Sequence, residues 1–116
     1  MTQKIKSEEN TVSIIVTCHN EEKFIQECIN SVLNQTAFEI IKEIIVVVDS
    51  TTDSSIEIIK NLSKKNDKIK IFEVKYKSLS KSRNFGIKKS TTNYIAFLDG
   101  DDYWSKDKLE IQFLQI

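Results

Sequence analysis

The chain has 116 residues, 40% of them hydrophobic and 29% charged, which is enough for one core and no more. Its 17 basic residues balance 17 acidic ones, so no overall charge draws it to nucleic acid. The two cysteines lack CxxC spacing and the longest aliphatic run is only Ile44 to Val48, which argues for reduced, buried thiols in a cytoplasmic protein and against a membrane span.

Met1 to Asn10 is polar, has no apolar core for a secretion signal, and reads as a flexible lead-in to a domain over 11–116. Thr11 to Cys18 (TVSIIVTC) is β-branched and apolar almost throughout, as in a strand buried on both faces. In EEKFIQECINSVLNQ, residues Phe24, Ile25, Cys28, Ile29, Val32 and Leu33 form one stripe of an amphipathic helix. Glu21 and Glu22 stand at the end of that helix where its dipole favours acids. Lys42 to Asp49 (KEIIVVVD) is a second buried strand, and Asp53 or Ser54 caps a helix carrying Ile56, Ile59 and Leu62. Lys68 to Lys75 (KIKIFEVK) alternates, which predicts a strand near a sheet edge. Ser80 opens a third helix through Lys89, Asn93 to Asp99 (NYIAFLD) is a fourth strand, and Ser105 starts a helix presenting Leu109 and Phe113. The terminal IQFLQI carries no stop signal, so the domain is expected to be interrupted there.

The order βαβαβαβα predicts an open, mainly parallel sheet with helices on both faces. Ligands of such sheets bind beyond the carboxyl ends of the strands. Strand one delivers Thr17, His19, Asn20 and Glu21 there, strand two Asp49 to Asp53, and strand four Asp99, Gly100, Asp101 and Asp102. Asp99 and Asp101 lie two apart, so in extended geometry both carboxylates point one way. Like charges so placed repel unless a cation neutralises them, and Mg²⁺ or Mn²⁺ takes one or two carboxylates and completes its shell with water and phosphate oxygens. An exposed, Asp-rich turn is the bland alternative. An EF-hand fails because its sixth position holds Trp104 rather than Gly. Glycine only at 86 and 100 excludes GxGxxG and Walker loops. His19, the one histidine, is better suited to hydrogen bonding or stacking than to activating a serine. Between Lys60 and Lys89, eleven basic residues face Asp67 and Glu73, which reads as solvated helix faces or as attraction to an anionic substrate or membrane surface.

VSIIVTCHNEEKFIQECINSVLNQT, EIIVVVDSTTDSS, SLSKSRNFGIKKSTTNYIAFLDGDD and YWSKDKLE, in this order and spacing, resemble the family 2 glycosyltransferases from Val12 to near the chain end. The resemblance implies the GT-A, Rossmann-like nucleotide-diphospho-sugar transferase fold, truncated to its nucleotide-sugar half. It implies transfer from a nucleotide sugar, UDP-linked by expectation, to a glycan or lipid-linked acceptor hydroxyl with inversion. That chemistry belongs to polysaccharide or cell-envelope synthesis in the cytoplasm or at the inner face of the membrane. By position, Thr17 and His19 meet the nucleotide base, Asp49 hydrogen-bonds it, and Glu21 belongs to the same donor-binding set. Arg83 and Asn84 approach the diphosphate, Asp101 binds the divalent metal (Mn²⁺ or Mg²⁺), and Asp99 lies near the ribose or the metal's water shell. No residue here is implied as the catalytic base, so this chain alone is expected to bind donor without transferring sugar. Val16 stands where the family usually has Pro, Val48 where it has a second Asp, and Ser50 and Ser78 where it has Gly. These departures leave a second reading, a non-catalytic nucleotide-sugar-binding module.

Overall fold

A computed structural model of the chain describes residues 10–114, so nearly all of the expected lead-in lies outside the described residues. The strands are β1 (Val12–Cys18), β2 (Ile41–Asp49), β3 (Ile69–Val74) and β4 (Tyr94–Asp99). The helices are α1 (Ile25–Leu33), α2 (Ser55–Lys65), α3 (Leu79–Lys89) and α4 (Lys108–Leu114), with a 3₁₀ turn at Phe38–Ile40 before β2. All strand pairs are parallel and the sheet runs β3-β2-β1-β4. β1 and β2 are the central strands, which is why both read as continuous apolar runs: every residue of β1 is buried, and all of β2 but Lys42. β3 is an edge strand, as its alternation predicts.

Alternate side chains sort onto two faces. Ile14, Val16, Ile44, Val46 and Leu98 pack with Ile25 and Ile29 of α1, Ile59 of α2 and Leu109 of α4. Ile15, Ile45 and Val47 pack on the other face with Phe72, Val74, Phe85 and Ile95. Helices thus cover both faces unequally, with α3 alone on the second. It sits close because Gly86 has no side chain: a Cβ there would lie 2.6 Å from Ile15 Cγ2.

Three local expectations shift. Phe24 is 47% exposed and precedes α1, so the buried stripe is Ile25, Cys28, Ile29 and Val32. Glu22 does not serve α1; its Oε1 accepts the Ser54 amide at the start of α2, while Asp53 Oδ1 accepts the Ser55 amide there. α3 is capped by Ser78, whose hydroxyl accepts the Lys81 amide, and not by Ser80. Of these, the Glu22 contact is set by a partner 32 positions away, which local pattern cannot show.

The amino ends of the strands are joined by a carboxylate to which the sequence pattern gives no role. Glu43 is fully buried and accepts from Ser13 Oγ at 2.6 Å, the Thr91 amide at 2.7 Å and Lys70 Nζ at 3.0 Å. Burial alone would raise its pKa, but these donors outweigh burial and hold it at about 2. One side chain thereby ties β1, β2, β3 and the α3–β4 link together.

Candidate functional site

β1 leads through α1 to β2 on one side and has β4 on the other, so the strand order reverses between β1 and β4. A crevice opens beyond the carboxyl ends at such a switch point. It is present here as a cleft of about 680 Å³ lined by Thr17, His19, Glu21, Asp49, Asp99 and Asp101, among others. Register explains part of the convergence: Thr17 pairs with Asp99 across β1 and β4, and Thr17 Oγ donates to Asp99 Oδ1 at 3.0 Å. Gly100 follows so closely that a Cβ there would lie 2.8 Å from the Thr17 carbonyl, to which its amide donates at 2.7 Å.

The two aspartates of the fourth strand end differ. Asp99 Oδ1 also accepts from Arg83 at 3.2 Å, and that guanidinium lies over the Phe97 ring. Arg83 is not among the cleft-lining residues; it reaches the cleft through Asp99. Asp101 is exposed, lines the cleft and has no hydrogen bond or ion pair among the described residues. Burial first, then the charges of Asp101 and Asp53, raise the pKa of Glu21, an electrostatic sign that acids crowd this rim. Among the described residues no three His, Cys, Asp or Glu side chains group closely enough to hold a metal by themselves. The oxygen donors on this rim, Asp101 with Asp99 beside it, are of the kind a hard cation takes in ones and twos.

Asp49 is committed inside the protein. Its Oδ1 accepts the amides of Tyr76 and Lys77, each at 2.8 Å, and the Ser50 hydroxyl at 2.9 Å. Its Oδ2 accepts the Ser78 amide at 2.9 Å and the Ser82 hydroxyl at 3.1 Å. Desolvation would raise its pKa, but the Lys77 and Ser78 amides lead a set of donors that lowers it to about 2. Three consecutive amides around one carboxylate fix the β3–α3 loop at the cleft wall, bringing in Lys77, Ser78 and Leu79. Sequence reading missed these, although the rule that found the ends of strands one, two and four applies equally to strand three. Asn84 of α3 is exposed and is not among the cleft-lining residues.

Among the described residues, the non-glycine residues with left-handed backbone are Asn20, Ser50 and Lys77, at φ 53°, 53° and 52°, all in loops at this end of the sheet. Each costs about 1–2 kcal/mol. Hydrogen bonds to other loops and strands hold them: Asn20 Oδ1 accepts the amides of Thr52 and Asp53 at 2.8 and 3.1 Å, the Ser50 amide donates to the Val74 carbonyl and the Lys77 amide to Asp49. His19 Nδ1 lies 2.7 Å from the Asp49 carbonyl oxygen. Cys18, which lines the cleft, and Cys28 are buried free thiols, and burial, ahead of the neighbouring Cys18, pushes Cys28 up to about 12.

A parallel α/β sheet with acids, a threonine and an imidazole gathered at its switch point is an architecture that takes ligands beyond the carboxyl ends of its strands. The model of glycosyl transferase family 2 matches residues 13–116, and the chain belongs to that family. It is 48% identical over 94 residues to a Bacillus subtilis (strain 168) protein described as uncharacterized glycosyltransferase EpsJ, covering 81% of this chain and 27% of that one. It is 37% identical over 100 residues to the poly(ribitol-phosphate) beta-glucosyltransferase of Bacillus spizizenii, covering 84% of this chain and 16% of the relative. Among solved structures it is similar to S. aureus TarS 1-349 in complex with UDP-GlcNAc, with a TM-score of 0.78 and 29% identity over 90% of this chain and 30% of that one. The chain thus spans about a quarter of the length of the EpsJ relative.

Proposed function

We propose that the cleft holds the nucleoside diphosphate of a UDP-linked sugar against a divalent cation, as the donor site of an inverting glycosyltransferase. The observation that carries this reading is the pairing of an engaged Asp99 with an unpartnered Asp101 at one edge of the cleft. Asp101 would hold Mn²⁺ or Mg²⁺ directly, and Asp99, already bound to Thr17 and Arg83, would face the ribose or the metal's water shell. Such a cation neutralises charge gathering on the departing diphosphate. Thr17, His19 and Glu21 line the nucleotide's side of the cleft, and Arg83 adds positive charge beside Asp99. Asp49 contributes by building the loop that walls the cleft, since its own oxygens are taken. No residue of this chain is assigned as the general base, and we expect donor binding here without transfer.

The likeness to a structure holding UDP-GlcNAc supports the choice of donor, and the poly(ribitol-phosphate) relative supports a cell-envelope polymer as acceptor. No described helix is long and apolar enough to cross a membrane; peripheral attachment at the inner face of the membrane remains part of this proposal. The test is calorimetric titration of UDP with and without Mn²⁺, on the wild type and on Asp101→Ala. The expected result is Mn²⁺-dependent binding that the substitution abolishes while the fold stays intact. Binding indifferent to Mn²⁺ and to Asp101 would overturn the metal assignment. A nucleotide-binding module without catalysis, the reading favoured by Val48 and by the engagement of Asp49, predicts that a chain of the relatives' full length binds UDP yet gives no turnover.

A further inference from the structure

Resting on the donor-cleft reading, we infer that His19 selects the base of the nucleotide by presenting a hydrogen-bond acceptor at its Nε2. The imidazole Nδ1 lies 2.7 Å from the Asp49 carbonyl oxygen. A carbonyl can only accept, so Nδ1 carries the proton, and in the neutral ring Nε2 keeps a lone pair. The ring lines the cleft and is exposed, and Nε2 has no partner among the described residues. Tethering of Nδ1 to β2 leaves Nε2 on the opposite edge of the ring.

The nearest rival acceptor is spent. A carboxylate offers about four lone-pair positions, and the two oxygens of Asp49 already take the Tyr76, Lys77 and Ser78 amides and the Ser50 and Ser82 hydroxyls. The other free carboxylate oxygens of the cleft, on Glu21, Asp99 and Asp101, lie toward its β4 side, Glu21 Cγ being 3.2 Å from where a Cβ on Gly100 would stand. At the β2 side, the acceptor offered to a base is therefore the imidazole nitrogen. It is complementary to bases with a ring N–H on their pairing edge, uracil and guanine. Cytosine and adenine present a ring lone pair there, which would face another lone pair. A polar site that leaves its partner unpaired discriminates far better than one that only measures shape. Stacking on the imidazole face would be indifferent to this difference.

UDP and CDP differ only at the pairing edge, and His19 is the single histidine of the chain, so both halves of the inference can be read directly. In the ¹⁵N-histidine-labelled 116-residue chain at neutral pH, the expected spectrum has a protonated Nδ1 and an unprotonated Nε2 whose resonance moves on adding UDP with Mn²⁺. Amide-shift titrations should show UDP binding about tenfold more tightly than CDP. His19→Phe keeps a stacking ring and removes the acceptor. UDP should weaken five- to tenfold in that variant, by about one neutral hydrogen bond, with CDP unchanged and the preference gone. Circular dichroism and amide dispersion confirm that the exposed substitution leaves the fold intact. A protonated Nε2, an equal loss for both nucleotides, or a preference that survives His19→Phe would each overturn the inference while leaving the donor cleft standing. If neither nucleotide shifts any amide at millimolar concentration with Mn²⁺, the donor-cleft reading itself fails.

Discussion

Replacing Asp49 by Asn keeps the shape of the side chain and removes its charge, which isolates what the carboxylate does for the β3–α3 loop. The carboxamide oxygen can still accept from Tyr76 and Lys77, but its NH₂ then faces the Ser78 amide and the Ser82 hydroxyl. The hydroxyl can rotate to accept; the amide cannot, and is left unpaired at a cost of about 1–3 kcal/mol. The loss of charge can be valued separately. The carboxyl is lowered from 3.8 to about 2, and at about 1.4 kcal/mol per pKa unit the folded protein favours the charged form by roughly 2–3 kcal/mol. The two figures describe overlapping interactions, so the expected loss in urea unfolding at pH 7 is about 2–4 kcal/mol, a large share of the 5–15 kcal/mol typical of a domain. Because the folded-state pKa lies below the unfolded one, this stability is complete above about pH 4 and drains away as pH falls toward 2. The wild-type curve should therefore fall over that window, and that of Asp49→Asn should fall less, retaining the contributions of Glu43 and Asp53, whose pKa values are also lowered. Amide exchange should quicken first at residues 76–78. A loss below about 1 kcal/mol with an unchanged pH slope would show that the carboxylate does not hold the loop.

Gly86→Ala should destabilise by about 1–3 kcal/mol in the same assay, because the new Cβ meets a β-branched methyl of Ile15 that cannot swing away. Combining it with Ile15→Ala should cost less than the sum of the two substitutions. Gly100→Ala places its Cβ 2.8 Å from the Thr17 carbonyl, which is backbone and cannot yield. Its effect should appear both as lost stability and as Mn²⁺-dependent UDP affinity weakened at least as much as by Asp99→Asn. Both thiols should be silent toward a disulfide reagent at pH 8 in the native chain and both should react in urea, since Cys18 and Cys28 are buried and burial raises both pKa values. Rapid reaction of either in the native state would contradict that packing.

The strands and helices announce themselves locally because hydrophobic period is a property of neighbouring residues: TVSIIVTC and KEIIVVVD read as strands buried on both faces, which the sheet makes its central pair, and KIKIFEVK as a strand near an edge. The polar residues closing those strands, Thr17, Asp49 and Asp99, were equally visible, as was the family pattern they complete. What those residues touch was not. Asp49 reads identically whether its carboxylate faces a ligand or three amides 27 to 29 positions away. Glu22 caps a helix 32 positions on, and Glu43 looks like an interruption in an apolar run until Ser13, Lys70 and Thr91 surround it. Local pattern determined which segments form strands and which ends are polar, because backbone propensity and burial act over a few residues. Only the packed sheet decided which polar groups are spent on the fold and which remain free for a ligand, because a hydrogen bond is satisfied by whatever donor the chain brings within 3 Å, however distant in sequence.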